Sequence, residues 1–369
     1  MTFPQLGISE DLNKGLKELG ITTPTQIQEQ AIPVLMQGGN DLIGKAQTGT
    51  GKTAAFGLPL LMQIDPTKKL TQGLILAPTR ELAQQIEKQL FKFTKYSDRI
   101  FTEAVYGGEK IDRQIERLKR TTHIIVATPG RLVDMIQRKA VDIRYIKTII
   151  LDEADEMLSM GFKKDLEFIL GTITDKRNVW MFSATMPKEL EAIVAEYISP
   201  NVITIEIDKK DSTNKNIQHQ FVVGEDGNKI DTMTYFLKTQ KTERGIIFCR
   251  TKVAARELTE QLKKRSFEVG ILEGDMHQKD RDKVMRAFKN KKLNLLVATD
   301  VAARGIDVDN LAFVLHYQLP DQAEYYIHRS GRTARGGKTG ISIAFLDHSE
   351  VKYLRILEKT LGLSFNQIR

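Results

Sequence analysis

The sequence predicts an α/β protein of two tandem domains, each a parallel β-sheet flanked by helices. Three observations lead there. Short apolar runs that end abruptly in small or polar residues alternate with stretches of helical periodicity. A polar, aperiodic segment splits the chain into halves that both follow this pattern. Nearly every cluster of chemically useful residues falls where an apolar run ends, the edge at which open parallel sheets bind ligands.

In the first half the strand-like runs are "DLIGK", "GLILAPTREL", "HIIVATPGRL", "TIILDEADEM" and "VWMFSATMP". Between them, Glu81–Thr94 and Lys188–Tyr197 carry apolar residues at three- and four-residue spacing and are expected to be helices. Continuous apolar strands joined by helices imply a parallel sheet covered on both faces. Periodicity is lost over "EIDKKDSTNKNIQ", Glu206–Gln218, which reads as a linker. The strand pattern resumes in "RGIIFCRT", "FEVGILEGD", "LNLLVATDVAARGID", "LAFVLHYQLP" and "GISIAFLD". The expected organisation is a first domain at 1–207, a linker at 208–216 and a second domain at 217–369.

Composition narrows the function. With 41% hydrophobic and 28% charged residues among 369, the chain is neither disordered nor fibrous. A single cysteine, Cys249, excludes an internal disulfide and fits a reducing compartment. The six histidines show no metal-ligand spacing. The N-terminal stretch lacks the pattern of a secretory signal, and no apolar run nears the roughly 20 residues of a membrane helix, so a cytoplasmic location is expected. A net charge of +8 suits a polyanionic partner or serves solubility alone.

The most specific local signal is Ala46-Gln47-Thr48-Gly49-Thr50-Gly51-Lys52-Thr53, between a strand and a helix. It departs from the phosphate-loop pattern only in alanine for glycine at its first position. Glycines let backbone N–H groups converge on phosphate oxygens, and the following helix adds a favourable dipole. Lys52 is expected to reach the β and γ phosphates, and the Thr53 hydroxyl to hold Mg²⁺. The acidic partner of such a loop is expected at a strand end, where "DEAD" places Asp152 for Mg²⁺ and Glu153 for the attacking water.

The second half has no such loop but carries "HRSGRTARG", with Arg329, Arg332 and Arg335 crowded together. Arg332 and Arg335 are read as guanidiniums that meet the charge of a γ-phosphoryl transition state, the alternative being a salt-bridge or phosphate-backbone patch. Turnover would then require domain closure.

In order, "GITTPTQIQ" with Phe3 upstream, "AQTGTGKT", "PTREL", "GG", "TPGR", "DEAD", "SAT", "HQKDR", "ATDVAARGID" and "HRSGRTAR" span the chain. This set resembles the DEAD-box ATP-dependent RNA helicases of bacterial type, which have two RecA-like domains. The resemblance implies a Q motif over about residues 3–33, in which Gln28 reads adenine and Phe3 packs on the base. Ile21 stands where many relatives have an aromatic residue. Asp307 would bind the ribose or a domain-closing partner, and Ser183 and Thr185, bonding near Asp155, would couple hydrolysis to closure together with His328. RNA contacts fall to Thr79, Arg80, Gly107, Gly108, Thr128 and Arg131, and to Arg250, Gln278, Arg281 and Thr299. Such sites suit phosphate and 2′-OH contacts without base reading. The implied activity is RNA-stimulated ATP hydrolysis with local unwinding of short duplexes or remodelling of RNA–protein complexes. An ATP-gated RNA clamp and a DNA translocase remain the alternatives. Bacterial relatives suggest partners in ribosome assembly or RNA decay.

Overall fold

The structure, a computed structural model, describes residues 1–47, 49–173, 177–207, 216–224, 229–240, 243–303, 308, 311–334 and 339–368. The chain divides into two compact units, Met1–Ser212 and Thr213–Arg369. Each is built on a seven-stranded sheet in which every pairing is parallel.

The first sheet comprises β1 (Leu42–Lys45), β2 (Gly73–Leu76), β3 (Thr102–Val105), β4 (Ile124–Ala127), β5 (Thr148–Asp152), β6 (Asn178–Ser183) and β7 (Ile203–Glu206), in the order β3-β4-β2-β5-β6-β1-β7. The second comprises β8 (Ile217–Val223), β9 (Gly245–Cys249), β10 (Val269–Leu272), β11 (Leu295–Thr299), β12 (Phe313–His316), β13 (Gly340–Leu346) and β14 (Asn366–Gln367), in the order β10-β11-β9-β12-β13-β8-β14. Counted from its own first strand, each unit reads 3-4-2-5-6-1-7, so the shared sequence grammar reflects one topology used twice.

Burial explains which strands were conspicuous. β2, β4, β5, β9, β11 and β12 are buried at every residue and read as unbroken apolar runs. Along β6 the side chains alternate between the two faces, Trp180 and Phe182 entering one core layer and Val179 and Met181 the other. The helix Arg80–Phe93 buries Leu82, Ala83, Ile86, Leu90 and Phe93. It begins one residue earlier than the periodicity suggests, because the Thr79 hydroxyl accepts from the Leu82 N–H at 3.2 Å and caps it. Lys188–Tyr197 is a helix as expected. The ends of the polar stretch are strand: Glu206 closes β7, and Ile217 and Gln218 open β8. Among the described residues no helix is long and apolar enough to cross a membrane.

The second unit buries a polar network between β8, β12, β13 and the helix Ala323–Ser330. His219 Nδ1 meets the Tyr326 hydroxyl at 2.8 Å, His316 Nε2 meets Ser342 Oγ at 3.0 Å, and Ser330 Oγ meets Ser342 Oγ at 2.9 Å. The His316 and Tyr326 rings stack with centroids 4.5 Å apart. Burial pushes His219 down to about 4. His316 is held well below its ordinary value by burial, then by the Arg329 charge and by His219. Both rings therefore stay neutral in the fold and protonate on unfolding below about pH 6.5. The unfolded state then binds more protons, so stability is full above that value and falls as pH drops towards about 4. We expect the urea midpoint of the second unit to fall over this range, His219 alone accounting for roughly 3 kcal/mol. His219→Leu should flatten part of the profile, and a profile identical to that of the unmodified chain would contradict the assignment.

Candidate active site

β1 delivers the chain into the phosphate loop, and the helix Lys52–Gln63 follows. Because β6 lies beside β1 and β5 beside β6, the loop, Ser183 and Asp152 emerge at neighbouring strand ends. The Ala46 N–H donates to the Ser183 carbonyl at 3.0 Å and ties the loop to that edge. Gly49 and Gly51 take φ of +84° and +91°. At Gly51 a Cβ would stand 2.4 Å from Gln28 Nε2, so the turn and the close approach both require glycine. Thr50 Oγ1 donates to the Gln47 carbonyl at 2.8 Å, and Thr53 is the second residue of the helix.

Lys52 is buried, donates from Nζ to the Ala46 carbonyl at 3.2 Å and lies 4.0 Å from Asp152 Oδ1. That separation is too long for a hydrogen bond, and Asp152 Oδ1 has no hydrogen-bond partner although its residue is 3% exposed. Burial pushes the Asp152 carboxyl above its ordinary range and Glu153 adds to this, while the Lys52 ammonium pulls it down. An unsatisfied, buried carboxylate oxygen has the chemistry to take a hard cation, and Thr53 at the start of the adjoining helix offers a hydroxyl of the same kind. Among the described residues there is no cluster of three His, Cys, Asp or Glu that could hold a metal by itself. Glu153 sits at φ 53°, ψ 51°, left-handed backbone that a non-glycine residue resists by about 1–2 kcal/mol. This backbone turns the chain from the end of β5 into the helix Ala154–Ser159.

Asp155 joins this helix to the turn after β6. Thr185 N–H and Oγ1 both donate to Asp155 Oδ2 at 2.8 Å. Ser183 Oγ accepts from the Asp155 N–H at 3.2 Å and donates to the Thr185 carbonyl at 2.7 Å. Gln28 is also committed: its Oε1 accepts from the Thr25 N–H at 2.9 Å, and its Nε2 donates to the Gly51 carbonyl at 2.9 Å. Thr25 Oγ1 donates to the Thr50 carbonyl at 2.8 Å, so the Q motif braces the phosphate loop directly. Phe3 corrects an expectation. Its ring is 1% exposed within the core cluster and offers no open face to a base; it anchors the N-terminal segment instead, and Ile21 packs against the same cluster. Thr48, Asp307 and Arg335 lie outside the described residues.

The first unit gathers its expected RNA residues around a side chain the motifs did not flag. The Arg80 guanidinium lies over the Tyr106 ring at 4.8 Å, and Gln84 Nε2 donates to the Tyr106 hydroxyl at 2.7 Å. Gln114, wholly buried, accepts from the Tyr106 N–H at 3.2 Å and donates from Nε2 to the Tyr106 carbonyl at 2.8 Å and to Glu109 at 3.1 Å. Arg131 donates to the Glu109 carbonyl at 3.1 Å. Gly107 and Gly108 are thus held between Tyr106 and Glu109, exposed, and a Cβ at Gly107 would meet nothing in the chain. Thr79 caps a helix, and Thr128 sits at the corresponding position before the helix Pro129–Gln137. Gln114 gave no sequence signal, since a polar residue within a helix usually faces water.

In the second unit Arg250 pairs with Asp321 at 2.9 Å, Gln278 donates to Asp282 at 2.8 Å, Arg281 donates to the Ala302 carbonyl at 2.5 Å, and Thr299 is buried at the end of β11. Arg329 resolves the crowding of arginines. It is buried, holds Asp300 through two bonds of 2.5 and 2.6 Å, and donates to the Gln318 carbonyl at 2.7 Å. The Arg332 carbonyl accepts from the Leu311 N–H at 3.2 Å, and the His328 ring lies 6.3 Å from that of Tyr325.

A phosphate loop after β1 whose lysine lies beside the aspartate that ends β5, in a sheet whose topology recurs in a second unit, defines a phosphate-loop nucleoside triphosphatase of the two-unit helicase kind. Residues 25–193 match the DEAD/DEAH box helicase family model, and residues 228–337 match the helicase conserved C-terminal domain. The ATP-dependent RNA helicase CshA of Limosilactobacillus reuteri is 43% identical over 97% of this chain and 72% of its own length. That of Listeria monocytogenes is 44% identical over 97% of this chain and 68% of its own length. A solved structure, S. cerevisiae Dbp5 bound to RNA and ADP BeF3, matches with a TM-score of 0.90 and 30% identity, covering 100% of this chain and 95% of that one. The chain belongs to the DEAD-box ATP-dependent RNA helicases.

The brace around Tyr106 yields a test. Gln114→Leu leaves two backbone groups of Tyr106 without their buried partners, which costs about 1–3 kcal/mol each. We expect a lower urea midpoint for the first unit and a higher RNA concentration for half-maximal ATPase stimulation, with the KM for ATP unchanged.

Proposed function

We propose that the chain hydrolyses ATP when RNA draws its two units closed, and that closure separates short duplexes or displaces protein from RNA. The observation that carries this reading is the buried Lys52–Asp152 pair beside the phosphate loop, with a carboxylate oxygen left unsatisfied. The named activity of the CshA relatives and the RNA and nucleotide analogue held by Dbp5 support ATP and RNA as its ligands.

In this reading Lys52 exchanges its bond to the Ala46 carbonyl for phosphate oxygens, and the loop N–H groups and helix dipole cradle the remainder. Asp152, commonly through water, and Thr53 would hold Mg²⁺, which when bound neutralises phosphate charge. Glu153 orients the attacking water and takes its proton. Gln28 reads adenine by exchanging its present partners, an amide being able to donate and accept at once. Arg332 and Arg335 meet the charge that develops on the γ-phosphoryl group, while Arg329 holds Asp300. Through Asp155, Ser183 and Thr185 pass the state of the acidic helix to the turn after β6. RNA is held by phosphate and 2′-OH contacts from the residue sets at the strand ends, independent of sequence, and a cytoplasmic location fits that ligand.

Energetics set the reach of one closure. Stacked pairs are worth about 1.4 kcal/mol per step on DNA figures, so opening a few costs several kcal/mol, a plausible differential binding energy, whereas a long duplex costs tens. Strand separation should therefore fall steeply with duplex length; equal unwinding of duplexes of several turns would rule out local opening.

The chemistry is tested by ATPase rate with and without single-stranded RNA. Glu153→Gln should lower RNA-stimulated turnover by about 10²–10⁴ while ATP and RNA binding persist, and Lys52→Ala should weaken nucleotide binding or turnover. Unchanged turnover in Glu153→Gln would remove it as the group that handles water. Stimulation by matched single-stranded DNA equal to that by RNA would favour a DNA translocase.

A further inference from the structure

We propose that a groove on the rear edge of the first unit docks an acidic, apolar-anchored helical segment of a partner protein. The groove, about 740 Å³, lies between the end of the helix Glu10–Glu18, the end of the helix Arg80–Phe93 and the turn leading into β3. The helices meet closely because Gly15 has no side chain: a Cβ there would stand 2.5 Å from the Phe93 carbonyl oxygen. Its apolar walls are Leu19, Phe91, Ile100 and Phe101, with Phe91 75% and Phe101 46% exposed. Large rings left this open beside a concavity mark an interaction surface.

Charge selects the occupant. Lys92, Lys95 and Arg99 line the groove with one carboxylate, Glu18, whose oxygens are engaged by Lys95 and by the Tyr96 hydroxyl at 2.8 Å. Lys92 and Arg99 form no ion pair among the described residues. Apolar walls with surplus cations on the rim complement an amphipathic helix bearing Leu or Phe at i and i+3 or i+4 and Asp or Glu between them. Bases could stack on Phe91 and Phe101, but Leu19 and Ile100 offer a strand no such face and suit the apolar side of a helix, which favours the helix. The groove sits where β3 begins, whereas Asp152 and Gly107 lie at or beyond the far ends of the parallel strands. An occupant would thus leave the nucleotide and RNA edge open and could remain bound through turnover.

The test pans a phage-displayed library of random peptides of about four helical turns against the full chain. Enriched peptides should combine apolar residues at helical spacing with Asp or Glu. A synthetic copy should bind about tenfold more weakly to Phe91→Ser and to the double variant Lys92→Glu/Arg99→Glu. All three are exposed positions, so the unfolding midpoint and RNA-stimulated ATPase should stay unchanged. Failure to enrich such a family, or binding indifferent to both variants, overturns the proposal. Weaker binding of an oligouridylate to the double variant would assign the groove to RNA instead. Self-association of the chain that Phe91→Ser abolishes would assign it to a second copy.

Discussion

An ammonium and a carboxylate, both withdrawn from water and 4.0 Å apart, govern the front of the first unit. Removing two charges from solvent is expensive, and attraction between them offsets the cost only when their other bonding capacity is filled. Lys52 partly meets that condition through the Ala46 carbonyl, and Asp152 does not. The pair is therefore left with bonding capacity that the chain itself does not fill, which is what the proposed nucleotide and cation would supply. The loop that follows β1 and the end of β5, with β6 between them, bring these two side chains together.

Bracing spreads outward from that pair. Gln28 and Thr25 hold the loop from behind, Ser183 and Thr185 hold the acidic helix from the side, and each contact runs between segments far apart in the chain. The second unit is organised differently. Its interior is fixed by a polar network, with Arg329 and Asp300 tying the helix Ala323–Ser330 to the end of β11. The same topology thus carries a buried charge pair beside the phosphate loop in one case and a buried polar network in the other.

Much of this was legible in the sequence because it is local. A phosphate loop is contiguous, and its glycines announce a backbone requirement; central strands are buried on both faces and cannot avoid looking apolar. The edge strand β10 was legible in "FEVGILEGD", but β3 and β14 were not. β3 contains Thr102 and Glu103, both half-buried, and β14 is two exposed residues paired to β8. Partnerships created by the fold were also hidden: nothing in "QIERL" marks Gln114 as a buried clamp on Tyr106, and nothing near Asp300 names Arg329. Phe3 was misread because resemblance supplies a role, whereas packing decides which ring face is left open.

Glu153 bends the backbone into a form its own side chain resists, and that tension belongs to the main chain rather than to the carboxylate. Trading the acid for its amide would leave the tension intact, while glycine would release it and remove the carboxylate as well. At this position backbone ease and the role proposed for the side chain pull in opposite directions, so variants selected for thermal endurance alone would drift away from the acid.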